Sequence, residues 1–255
     1  MEKKMLKHKL GMLTTLITLF TLPHVSFATV PNGFVYLKDV DPTIQQDIRY
    51  AGDHNFVGRP IKGYQAPTCI LTKQAADALK KIQTQLRKQN MSLKVYDCYR
   101  PQMASYDFYQ WGQKPDETQM KAEFYPEVEK SQLFDMGYIA KYSEHSQGST
   151  VDVTIVPVPT PKQPTYTPGE KLVACYAPYG QRFKDNSIDM GTGYDCMDLR
   201  AHVQYKRISQ RAQDNRLLLR NLMVKNGFKP YGKEWWHFTL VNQPYDREVF
   251  NFPVK

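Results

Sequence analysis

The chain has 255 residues, with 34 Lys and Arg against 25 Asp and Glu. Without its first 28 residues the balance is 30 basic to 24 acidic, a net +6 spread evenly, and no Lys/Arg block argues for nucleic-acid binding. The 227 residues that follow suffice for one domain with a full core.

The first element is a targeting segment. Lys3, Lys4, Lys7 and Lys9 precede an apolar stretch from Leu10 to about Leu22. Ser26-Phe27-Ala28 then offers small residues where a signal peptidase reads them, so cleavage after Ala28 is expected. The expected domain is Thr29 to Lys255, exported to the periplasm or beyond. The apolar stretch is short for a span of ~20 residues and is broken by threonines, so no stable membrane anchor is expected.

Thr72 is placed to cap a helix whose Leu79, Ile82 and Leu86 share one face, with Asn90 as its stop. Leu93, Val95 and the residues to Tyr99 read as a strand. Arg100-Pro101 ends it, and Pro101 suits the first turn of a helix striped by Ala104, Phe108 and Trp111. Val151 to Val156 is a second β-rich run after a Gly/Ser turn. Five prolines between Val156 and Glu170 read as an extended surface loop. Ile208, Ala212, Leu219 and Leu222 mark another long helix, with Gly227 placed as its C′ residue. Trp235 to Leu240 reads as a strand. There is no regular βαβ alternation and no Gly-rich nucleotide turn. The expected fold is α+β, one domain with a small mixed or antiparallel sheet flanked by helices.

Four histidines follow the leader: His54, His145, His202 and His237. His145 and Asp152 are separated by a glycine turn and a strand start, which lets them converge. Glu234 lies three residues before His237. Two His and one Asp, His145, Asp152 and His237, make a three-ligand set with an open fourth position, as a catalytic zinc needs. Zinc acidifies its water and polarises a carbonyl. Glu234 is the candidate to move the proton and Arg100 to face the oxyanion. Each residue also has an ordinary reading: a packed core histidine, a turn aspartate, an ion-paired arginine. In a regular strand, moreover, Glu234 and His237 would face opposite sides, so a twist or bulge is required.

Ser143-x-His145-x-x-Gly148-x-x-x-Asp152 with Glu234-x-Trp236-His237 resembles the D-alanyl-D-alanine dipeptidase family, zinc D,D-peptidases that include the vancomycin-resistance enzymes. The likeness extends to Ile48-Arg49-Tyr50, Asn55-Phe56-Val57-Gly58, Tyr96-Asp97-Cys98-Tyr99-Arg100-Pro101 and Asp189-Met190-Gly191-Thr192-Gly193-Tyr194-Asp195, nearly the whole chain after the leader. The resemblance implies one zinc on His145, Asp152 and His237. It implies Glu234 as base and acid, Arg100 as transition-state stabiliser, Asp195 facing the substrate ammonium, and Ser143 near the substrate. The implied substrate is the free dipeptide D-Ala-D-Ala. The rivals are a zinc D,D-carboxypeptidase or other cell-wall peptidase, and a non-catalytic cell-wall-binding domain.

Two departures stand out. Thr150 occupies a position where many relatives have alanine, and the proline-rich stretch after Val156 looks like an insertion, expected to reshape the mouth of the site. Four cysteines in an exported chain read as two disulfides, and three pairings are possible. The expected pairing is Cys69–Cys98, tying the Thr72 helix to the strand carrying Arg100, and Cys175–Cys196, closing a loop that ends beside Asp195.

Overall fold

The computed structural model describes Met1 and residues 30–255; the expected leader, cleavage site included, lies outside the described residues apart from Met1. Among the described residues, seven strands and five helices alternate irregularly. The strands are β1 (Phe34–Tyr36), β2 (Gln45–Gln46), β3 (Ile70–Thr72), β4 (Met91–Asp97), β5 (Thr150–Pro157), β6 (Phe228–Pro230) and β7 (His237–Leu240). The helices are α1 (Leu37–Val40), α2 (Lys73–Arg87), α3 (Gln102–Gly112), α4 (Lys121–Phe124) and α5 (Gln210–Lys225). Strands β2-β4-β5-β7-β6 form the main sheet, in that order; β1 and β3 pair separately. Only β2 runs parallel to its neighbour, so the sheet is mixed and the α+β expectation holds. No helix among the described residues is long and apolar enough to cross a membrane.

The caps and stripes explain the long helices. Thr72 Oγ1 accepts from Ala75 N at 3.4 Å and opens α2, whose Leu79, Ile82 and Leu86 are fully buried. Each such side chain contributes roughly 1.5–3 kcal/mol. Ser209 Oγ accepts from Ala212 N at 3.1 Å and opens α5, so Ile208 lies just outside that helix instead of on its stripe. Gly227, φ +92°, follows α5 as a C′ residue, the left-handed conformation that glycine adopts without a Cβ penalty. Pro101 is the residue before α3, one position earlier than the first-turn reading placed it. Helix α2 packs on β4 and α5 on β6, so the core fills the space between helices and sheet.

Both disulfides form as paired in the sequence, with Cα–Cα distances of 5.4 Å for Cys69–Cys98 and 5.5 Å for Cys175–Cys196. The proline-rich stretch does not reach the mouth of the site, contrary to expectation. It lies across the β2 side of the sheet. Thr160 Oγ1 accepts from Gln45 Nε2 at 2.5 Å, Gln163 Oε1 from Lys94 Nζ at 3.1 Å, and the Tyr166 ring stacks on His54 at 4.5 Å. Its prolines and polar contacts suit an edge-covering strap.

Candidate active site

Sheet register builds the site. On β5 and β7, Asp152 is the direct partner of His237, so both side chains leave the same face of adjacent strands. A register shift in β4 skips Tyr96 and sets Asp97 opposite Asp152. The bulge turns the strand end toward the same face, bringing Arg100 with it. His145 arrives from the turn 144–147, which Gly148 closes at φ +81°. A Cβ on Gly148 would lie 2.2 Å from the Phe34 ring, so only glycine fits there. The anticipated conflict between Glu234 and His237 does not arise. Glu234 lies in the turn before β7, with His237 N bonded to Glu234 O at 3.4 Å, and Glu234 Oε2 is 3.5 Å from His237 Nδ1.

The seven site residues expected from sequence, Arg100, Ser143, His145, Asp152, Asp195, Glu234 and His237, all line one cleft of about 360 Å³. Its floor is a triangle of three donor atoms. His145 Nε2 lies 3.3 Å from His237 Nδ1 and 3.3 Å from Asp152 Oδ1, and the last two are 3.1 Å apart. Tetrahedral zinc with bonds of about 2.0–2.1 Å requires ligand–ligand edges of about 3.3–3.4 Å. His145 Nδ1 donates to Cys98 O at 2.7 Å, which leaves Nε2 bare toward the triangle. Asp152 Oδ1 is buried and has no hydrogen-bond partner of good geometry. A bare imidazole nitrogen and an orphaned carboxylate oxygen at these spacings fit a zinc ion. The other carboxylate oxygen, Asp152 Oδ2, accepts from Tyr194 OH at 2.9 Å and faces Arg100 Nη2 at 3.8 Å.

Around this floor stand the groups that handle charge. Burial pushes the Glu234 carboxyl up to about 7; His237 opposes that rise and Asp152 adds to it. The Arg100 side chain is only 13% exposed, yet Asp97 beside it keeps it charged. Its Nε donates to Asp97 Oδ2 at 2.9 Å, Nη1 reaches Ser143 Oγ at 3.5 Å, and the rings of Tyr50 and Phe108 flank it. Asp195, in the lining of the same cleft, accepts from Tyr50 OH at 2.9 Å. Burial, with repulsion from Asp152 and Glu234, raises its pKa well above the usual carboxylate range. The Tyr50 bond and the Arg100 charge oppose that rise.

A family model described as D-ala-D-ala dipeptidase matches residues 30–158 and 181–255. The chain belongs to the D-alanyl-D-alanine dipeptidase family. Curated D-alanyl-D-alanine dipeptidases are similar over most of their length. That of Enterococcus faecalis is 34% identical over 223 residues, 88% of this chain and 98% of that protein. That of Streptomyces coelicolor is 34% identical over 221 residues, 87% and 98% respectively. That of Escherichia coli is 30% identical over 206 residues, 81% and 83%. The family match skips residues 159–180, which contain most of the proline-rich strap and Cys175.

The structure adds partners to which the sequence reading gave no role: Tyr50 and Tyr194 behind the carboxylates, Asp97 behind Arg100, and the Cys98 carbonyl behind His145. All four residues lie inside family-like stretches, the one signal available for them. The other two histidines stand elsewhere. His54 bonds Glu123 at 3.0 Å under Tyr166, and His202 bonds Tyr138 at 3.2 Å.

Proposed function

We propose that this protein is an exported zinc dipeptidase that hydrolyses D-alanyl-D-alanine to two D-alanines. The observation that carries the reading is one cleft holding a three-donor triangle of zinc-like spacing, a glutamate beside it and a buried aspartate in the same lining. His145, Asp152 and His237 would hold the ion. Bound there, zinc supplies a Lewis acid for the scissile carbonyl and makes a water acidic enough to attack at neutral pH.

Glu234 takes a proton from the attacking water and returns it to the leaving amine. A pKa raised toward 7 suits both directions of transfer. Arg100, locked by Asp97 and Ser143, points its charge at the oxygen that becomes negative. Asp195 receives the ammonium of the free dipeptide, and Tyr50 orients its carboxylate. A buried charge is costly without a partner, and the dipeptide supplies one. An N-acylated or longer peptide offers a neutral amide at that point and leaves Asp195 uncompensated. The leader-like N-terminus and the two cystines support export into an oxidising compartment.

The test is a substrate panel at defined zinc content: D-Ala-D-Ala, its N-acetyl derivative, L-Ala-L-Ala and a cell-wall pentapeptide. Turnover confined to the free D,D-dipeptide is expected. Equal turnover of the acetylated or pentapeptide substrates would establish a carboxypeptidase instead. Zinc binding without turnover of any of them would favour a binding domain.

A further inference from the structure

We infer that the Cys175–Cys196 cystine is a positioning element for the substrate end of the cleft, linking a segment outside the family match to the residue that receives the substrate ammonium. Cys196 follows Asp195 directly and lies within the matched region; Cys175 does not. Asp195 has φ +56°, a left-handed conformation that a non-glycine residue keeps only where its surroundings hold it.

Cys175 provides that hold on three sides. Its N–H donates to Glu123 O at 2.9 Å, its carbonyl accepts from Gly193 N at 2.7 Å, and its sulfur is bonded to Cys196. Met197 N donates to Phe124 O at 2.8 Å, so residues 123–124, 175 and 193–197 form one seam. Both cysteines are buried, Cys175 at 3% and Cys196 at 0% exposure. The far half of the same loop is anchored separately: Asp189 pairs with Arg182 at 2.8 Å and Met190 O accepts from Arg216 at 2.6 Å. The cystine therefore bears on the Asp195 half of the loop, whose one bond to a proposed metal donor is that of Tyr194 OH to Asp152 Oδ2 at 2.9 Å. Severing it frees the backbone that aims the Asp195 carboxylate while leaving His145, Asp152, His237 and Glu234 on their own elements. The consequence is weakened binding of the dipeptide with little change in the chemical step.

This inference rests on the dipeptidase reading for its kinetic arm only. The experiment is the double variant C175A/C196A of the full chain, assayed at saturating zinc, with cooperative thermal unfolding as the control on folding. Amide hydrogen exchange across residues 190–197 is expected to accelerate. KM for D-Ala-D-Ala is expected to rise about tenfold with kcat within about threefold of wild type, and the preference over the N-acetyl form to narrow. Should the alanine pair not fold, Cys175→Ser with Cys196→Val, which refills the volume, is measured in the same way. Unchanged exchange overturns the inference, and so does faster exchange with an unchanged KM. A wild type that ignores the dipeptide refutes the functional reading instead, and the exchange rates still decide whether the cystine holds the loop.

Discussion

Tyr194→Phe should weaken zinc binding without disturbing any zinc donor. The Tyr194 hydroxyl has one proton to give. It lies 2.9 Å from Asp152 Oδ2 and 3.2 Å from the Tyr50 oxygen, and the charged, nearer acceptor takes it. Without it, Asp152 Oδ2 keeps only Arg100 Nη2, at 3.8 Å. The ring itself stays packed, stacked on Tyr96 at 4.3 Å and edge-on to Trp236 at 5.4 Å, so phenylalanine opens no cavity of consequence. A hydrogen bond to a charged group contributes about 1.5–3 kcal/mol. At about 1.4 kcal/mol per tenfold, its loss corresponds to roughly 10- to 100-fold weaker zinc binding. Competition against a chromophoric chelator measures this directly. Tyr50→Phe is the matched control, since it removes a bond to Asp195 and none donated to Asp152; it should raise KM and leave zinc affinity alone. Zinc affinity within twofold of wild type in Tyr194→Phe, or an equal loss in Tyr50→Phe, would refute the reasoning.

Glu234→Gln should retain zinc and lose turnover by about 10²–10⁴-fold, as measured by kcat alongside metal content. In chelated protein the same variant reports on burial of the carboxylate. A folded pKa of about 7 against 4.5 makes the wild type's contribution favourable below pH 4.5 and lost as pH rises through 7. Chelated Glu234→Gln should therefore be the more stable form at pH 8, by up to about 3 kcal/mol, with the gap closing in acid. A gap that does not vary with pH in thermal melts would contradict this. Arg100→Lys should lower kcat, because a fork held by Asp97 and Ser143 is replaced by a point charge. A change in melting temperature alone would reduce Arg100 to an ion-pair partner.

The legible parts of this chain were those in which local chemistry decides structure. Helices α2 and α5 announce themselves through Thr72, their apolar spacing and Gly227, and β5 through its β-branched run. Strands β1, β2 and β6, of two or three residues, carry no periodicity, because long-range pairing alone makes them strands. The same division runs through the site. His145, Asp152, Glu234 and His237 stood out as residue types able to do the chemistry. Their convergence depends on a pairing between β5 and β7 whose partners, Asp152 and His237, lie 85 positions apart. Reading a strand from Trp235 made Glu234 and His237 seem opposed, whereas a turn, a local feature hidden by two bulky tryptophans, sets them side by side.

Tyrosine is the hardest case. The chain has 17 of them, and nothing local separates a phenol that braces the Asp152 carboxylate from one that fills a core. What marks Tyr194 is its place next to Asp195: one residue braces Asp152 and the next is proposed to receive the ammonium. Consecutive residues cannot be moved independently, so the loop that carries them ties the Asp152 carboxylate to Asp195. A shift of that loop that misaims Asp195 also strains the bond to Asp152. The cystine and the flanking arginines at its two ends thereby gain a reason to hold it as firmly as they do.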